Sequence, residues 1–134
     1  KGICVIDLDT IMPGLAMNDF GDSIRFGAST AAEDEIDLAK VSCDMNLYEI
    51  YLKGFLKGCN GKLTSKEIEL FPFGAKVMTF ECGMRFLTDY LEGDHYFKIH
   101  RENHNLDRCR TQFKLVEDME NKWEVMQRLT EKYM

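Results

Sequence analysis

No apolar run in this chain approaches the roughly 20 residues of a membrane-spanning helix. The first residues also lack the charged, apolar and small-residue order of a signal peptide. There is no C-x-x-C pair. The five cysteines, Cys4, Cys43, Cys59, Cys82 and Cys109, are odd in number and widely spread. They read as reduced, mostly buried thiols of a cytoplasmic protein, not as a disulfide framework. No basic patch alternates with aromatics and the net charge is −6, so a nucleic-acid partner is not expected. Repeats and low-complexity segments are missing as well. What remains is 134 residues of ordinary globular composition, enough for one domain with a real core.

The most informative feature is an apolar run that ends in two spaced aspartates, Ile3-Cys4-Val5-Ile6-Asp7-Leu8-Asp9. The pattern predicts a short strand over residues 3–8. In a strand Asp7 and Asp9 lie at i and i+2 and share one face. Two carboxylates there suit Mg²⁺, a hard cation that keeps substrate phosphates in its shell. The alternative is a solvated strand end. Asp19-Phe20-Gly21-Asp22-Ser23-Ile24-Arg25 follows at once. Four carboxylates in so short a stretch repel one another unless a cation or basic groups compensate. Asp19 reads as the cap of a short helix through Phe20, Ile24 and Phe26. Arg25 reads either as a substrate contact or as an ion-pair partner of Asp22 or Asp19.

Beyond a small, acidic loop from Gly27 to Asp37, and a stretch from Leu38 to Cys43 that is either extended or a helical lead-in, the chain turns helical. Leu47, Ile50, Tyr51, Phe55 and Leu56 recur at helical spacing from about Asn46, and Gly58 and Gly61 end the run. Thr64-Ser65-Lys66-Glu67 has the form of a capping box. It predicts a short helix to about Leu70, stopped near Pro72. The next helix is expected to carry Val77, Phe80, Met84, Leu87 and Leu91 on one face and to end at Gly93. A polar connection, Asp94 to Asn103, with a brief apolar Tyr96-Phe97, then leads to the longest helix. There Leu106, Cys109, Phe113, Val116, Met119, Trp123, Met126 and Leu129 step by three and four over about 25 residues. One strand followed by four or five helices makes a mainly-α domain. His100, His104 and Cys109 form an incomplete zinc set that lacks a fourth ligand. Solvent-facing loop histidines are the expectation.

Two phosphate-handling families carry a D-x-D strand. The haloacid-dehalogenase-like phosphatases use hhhhD-x-D-x-T/V, but Ile11 stands at the last position here and no later strand ends in a second motif. The sequence more closely resembles the aminoglycoside phosphotransferase/choline kinase family. Val5-Ile6-Asp7-Leu8-Asp9, Pro13-Gly14 and Asp19-Phe20-Gly21-Asp22 lie in that family's order and spacing. More narrowly, VIDLDTIMPGLAMNDFGDSIRFGASTAAEDE, FECGMRFLTDYLEGDHYFKIH and HNLDRCRTQFKLVEDME resemble the N-acetylhexosamine 1-kinases.

That resemblance implies a protein-kinase-like C-terminal lobe over residues 1–134. It implies an ATP-dependent transfer to the anomeric hydroxyl of an N-acetylhexosamine. Asp7 matches the family's metal-binding aspartate, Asp9 a neighbouring acidic ligand, and Asp19 the aspartate that steadies the catalytic loop. Mg²⁺ would bridge the nucleotide phosphates. Arg85 and Arg25 are the candidate sugar contacts, because an Arg fork suits hydroxyls and oxyanions. For Arg85 the competing reading is a surface arginine on an amphipathic helix, and for Arg25 an ion pair with Asp22 or Asp19. The chain has no H-x-D-x-x-x-x-N, no Gly-rich loop and no candidate nucleotide lysine on a strand. The expectation is therefore the C-terminal portion of such a kinase, inactive alone, with no catalytic base of its own. Its metal strand would lack a pairing partner, and an open apolar edge favours self-association. A rival of another class is a helical binding or assembly module with the last helix as its interface.

Overall fold

The computed structural model describes residues 2–6, 8, 9 and 11–134. Helix dominates, in six segments among the described residues. Helix α1 spans Ala16–Gly27, α2 Met45–Cys59, α3 Ser65–Glu69, α4 Phe71–Glu92, α5 His104–Asn121 and α6 Trp123–Glu131. A 3-10 turn at Leu38–Lys40 interrupts the loop between α1 and α2. One antiparallel bridge, Ser29 with Cys43, closes that loop. No strand forms among the described residues. The short N-terminal strand expected over 3–8 is therefore absent at Ile3–Ile6 and Leu8, and Asp7 lies outside the described residues. The physical reason is the lack of a partner. An extended segment gains its ladder only from a neighbouring strand, and Ile3, Val5 and Ile6 are all more than three-quarters exposed.

The helix ends follow local chemistry. Asp44 caps α2 by accepting from the Asn46 and Leu47 amides at 2.7 and 3.1 Å. Asn60, left-handed at φ 50°, ends it. The capping box forms as its sequence implies: the Glu67 amide donates to the Thr64 hydroxyl, and the Thr64 amide donates to the Glu67 carboxylate. Pro72 does not stop the chain. It stands in the first turn of α4, where the missing N–H would have no helical partner in any case.

Helix α4 is the central element, with α1 packed on one side and α5 on the other. Its core face is not the stripe of large residues. Phe71, Gly74, Ala75, Thr79, Gly83 and Phe86 are buried, whereas Phe80, Met84 and Leu91 are exposed. Small residues bring the neighbouring helices close. Phe20 of α1 stacks on Phe71 at 4.3 Å and meets Tyr48 and Phe55 of α2 edge-on at 5.6 and 5.5 Å. The Tyr48 hydroxyl, 3.0 Å from that of Thr130, joins α2 to α6.

The expected single long final helix is broken at Lys122. Its ammonium donates to the Cys43 carbonyl and Asp118 carboxylate at 2.9 and 2.7 Å, and lies 2.6 Å from the Ser42 hydroxyl. Asp118 also accepts from the Cys43 amide at 2.7 Å. Burial alone would raise the Asp118 carboxyl, but Lys122 and the Cys43 amide hold it below its ordinary value. This cluster turns the chain through one non-helical residue, so the apolar spacing runs across the break unchanged.

Helix α6 is tied back to α2 through Glu49, which accepts from Tyr133 and Lys132. Tyr133 first, then Lys132, lowers the Glu49 carboxyl from 4.5 to about 2. A depressed folded value stabilises above the unfolded value and is lost as pH falls through the folded one. Wild type should therefore exceed Glu49→Gln in melting temperature near neutrality, and the gap should close between pH 5 and pH 2. A gap that does not change with pH would refute the tether, as would a Glu49 NMR titration midpoint near 4.5.

Candidate functional site

An open groove of about 980 Å³ runs between α4 and α5. Val77, Phe80, Met84, Phe113 and Val116 line its apolar part, and Arg85, Tyr96 and Phe97 stand along its wall. The large residues that periodicity placed on one face of α4 thus contribute to this surface. The helices meet beneath it at Gly83, where a Cβ would come within 2.7 Å of the Phe113 ring.

Arg85 lies on the exposed side of α4. Its guanidinium sits 5.7 Å from the centre of the Tyr96 ring and 5.5 Å from that of Phe97. Nη2 reaches the Tyr96 hydroxyl at 3.5 Å, and Nε is 3.7 Å from Glu81. The contacts with Glu81 and Tyr96 are long, so they leave donors of the fork free to turn toward a ligand. Tyr96 and Phe97 meet edge-on at 4.8 Å, and Phe97 leans on Phe86. The arrangement offers an apolar floor, two aromatic walls and one cationic fork. That combination is typical of a small-molecule site.

The remaining sequence candidates lie elsewhere. Asp7 is outside the described residues. Asp9 is exposed. Asp19 is exposed in the first turn of α1, three residues inside the helix start. It is not the cap expected of it, since Leu15 holds that position without a side-chain bond. Asp19 instead supplies a carbonyl to the Ser23 hydroxyl at 2.9 Å, and its negative charge favours the helix N-terminus. Arg25 donates to Asp22 at 2.9 Å and to Glu33 at 2.8 Å. These bonds outweigh burial and raise it above its ordinary value. Asp22 is thereby compensated within the helix.

The carboxylate oxygens of Asp7 and Asp9 are donors of the kind Mg²⁺ prefers. Among the described residues, which exclude Asp7, no three His, Cys, Asp or Glu side chains gather into a metal-holding group. The imagined zinc set is not assembled either. His104 is buried, contrary to the solvent-facing expectation, with both ring nitrogens engaged. Nδ1 accepts from the His100 amide at 3.1 Å, which leaves Nε2–H to donate to Asp34 at 2.9 Å. Arg101 bonds Asp107 and the Asp34 carbonyl, and the Thr111 hydroxyl donates to Glu35, so the acidic loop is pinned onto α5. The cysteines are free thiols. Two are buried, Cys43 and Cys109, fewer than their hydrophobicity implied, and burial pushes the Cys43 thiol up to about 12.

Sequence reasoning missed Tyr96, Phe97 and Asp89. Asp89 is nearly fully buried at 4% exposure. It accepts from the His95, Tyr96 and Phe97 amides at 2.9, 2.7 and 2.9 Å. The local signals were an aspartate four residues before a helix-ending glycine and the brief apolar Tyr96-Phe97 in a polar connection. No protein-family model matches the chain. Among the described residues no helix is long and apolar enough to cross a membrane.

Proposed function

We propose that this chain is the C-terminal helical lobe of an ATP-dependent sugar 1-kinase that phosphorylates the anomeric hydroxyl of N-acetylhexosamines. One observation carries the reading: an I-D-x-D run, a Pro-Gly pair and an Asp-Phe-Gly-Asp stretch follow one another within residues 5–22, and a helical body follows them. Asp7, with Asp9 beside it, would hold Mg²⁺. When bound, that ion neutralises charge on the transferring phosphoryl group. The α4–α5 groove is the acceptor end. Tyr96 and Phe97 present flat apolar faces to a pyranose ring, and Arg85 donates to its hydroxyls or to the phosphoryl oxygens. The catalytic base belongs to an H-x-D-x-x-x-x-N loop that this sequence does not contain.

The test is the upstream coding sequence and the activity of its full product. An H-x-D-x-x-x-x-N is expected about twenty residues before Asp7, with ATP-dependent phosphorylation of N-acetylglucosamine or N-acetylgalactosamine. Its absence, with no phosphorylation of either sugar, would overturn the proposal. The rival helical assembly module draws on the exposed Ile3, Val5, Ile6 and Leu8, and it would gain from that outcome.

Arg85→Ala in the full product should raise the sugar KM roughly tenfold or more, the equivalent of one charge-assisted hydrogen bond. The nucleotide KM should stay where it is. A change confined to the nucleotide would remove Arg85 from the acceptor site. No change in either would make it a surface arginine.

A further inference from the structure

A carboxylate in the last turn of a helix faces the negative end of the helix dipole and gains nothing from it. Asp89 stands in that position on α4 and is buried as well. The surroundings compensate it fully. Gly93 and Asp94, both at positive φ, reverse the chain. Three successive amides, those of His95, Tyr96 and Phe97, then point back at the two carboxylate oxygens. Asn105, fully buried on α5, adds a fourth donor at 2.8 Å and bonds Asp94 with the same amide group. Arg108 donates to the Asn105 carbonyl at 3.0 Å and so fixes which way that amide faces. Burial alone would raise the Asp89 carboxyl, but the Phe97, Tyr96 and His95 amides hold it below its ordinary value. It is an anion held by backbone, and its effect is to set the two residues that wall the groove.

We propose that Asp89, steadied by Asn105, is the positioning residue of the groove. It acts through three backbone amides to hold Tyr96 and Phe97 against Arg85, and so sets how tightly the acceptor sugar is bound. This inference rests on the acceptor reading of the groove. It adds a residue whose carboxylate faces the loop amides, not the bound ring. Asp89→Asn separates the two possible roles, local structure alone and site geometry. The amide replaces one acceptor with a donor. That donor faces a loop N–H or the Asn105 side-chain amide, so two donors oppose each other.

The experiment is amide hydrogen exchange and NMR titration with N-acetylglucosamine on the 134-residue chain, wild type against Asp89→Asn. Exchange at His95, Tyr96 and Phe97 should accelerate at least tenfold while the helix interiors of α1, α2 and α5 keep their rates. The sugar Kd should rise about tenfold. Unchanged exchange at those three amides would overturn the proposal. Faster exchange with an unchanged Kd would also overturn it, because the loop would then be held without setting the site. Should Asp89→Asn not fold, Asn105→Ala is read by the same two criteria, with smaller shifts in the same direction expected. If wild type takes no sugar, the acceptor reading falls separately. The Arg85 Nε resonance then decides the positioning: a shift in Asp89→Asn supports it, and an unmoved resonance overturns it.

Discussion

A chain carrying Gly74→Ala should melt well below wild type, although alanine is the better helix former. A Cβ at Gly74 would stand 2.2 Å from the Met17 carbonyl oxygen and 2.9 Å from the Met17 Cβ. The facing position is equally tight, since a Cβ at Gly21 would stand 2.3 Å from the Gly74 carbonyl oxygen. Helices α1 and α4 therefore touch backbone to backbone, and neither contact can relax by turning a side chain. The helices must part, which opens the layer of Phe20, Ile24 and Ala75. Overpacking of this kind costs about 1–3 kcal/mol or more, against a helix-propensity gain of about 1 kcal/mol. The steric term wins. Each kcal/mol lost lowers the melting temperature by about 3–6 °C in a chain of this size. Gly54→Ala in α2 is the contrast, because nothing lies within 4 Å of its Cβ position and the propensity gain stands unopposed. Thermal unfolding followed by circular dichroism should move the two variants in opposite directions. Equal stabilisation by both would show that α1 and α4 do not meet at their glycines.

If the chain is part of the proposed kinase, Asp7→Asn in the full product should reduce kcat by about three orders of magnitude, with Asp9→Asn less severe. Asparagine would keep an oxygen donor but lose the charge with which Asp7 would hold Mg²⁺. Metal stabilisation of a phosphoryl transition state is worth several kcal/mol, and each 1.36 kcal/mol is a factor of about ten in rate. The loss should fall on kcat more than on the sugar KM, because the proposed acceptor groove is built separately, from α4, α5 and the loop between them. Steady-state kinetics with both substrates varied is the measurement. Turnover near wild type for Asp7→Asn would remove Asp7 from the metal site and take the kinase reading with it.

The acidic residues and the groove differ in how far the residues alone disclose them. The acidic residues form a local pattern, carried by spacing within residues 5–22, and it is visible without a fold. The groove is not local. Arg85 stands out in the sequence by resemblance, but Tyr96 and Phe97 lie in a stretch that reads as a polar connection. They come to the Arg85 guanidinium only because Asp89 gathers three amides after a reversal at positive φ. Hydrophobic periodicity has no term for a buried carboxylate that organises a loop.

Local signals determined the helices themselves. The Thr64–Glu67 box, the run from Leu47 to Leu56 and the glycine after Glu92 each act within a few residues, and each appears where its chemistry places it. Tertiary structure alone decided which faces are covered. Periodicity groups large apolar residues, so it put Val77, Phe80 and Met84 on one face of α4 without saying what covers that face. Close packing favours the opposite face, because Gly74, Ala75, Thr79 and Gly83 let α1 and α5 approach further than large side chains would. The break at Lys122 is of the same kind. No glycine or proline marks it, and it depends on an ammonium reaching Ser42 and Cys43, some eighty residues earlier in the chain. The N-terminal run shows the converse. Its β-branched residues favour extension, but a ladder needs a second strand, and none stands beside it among the described residues.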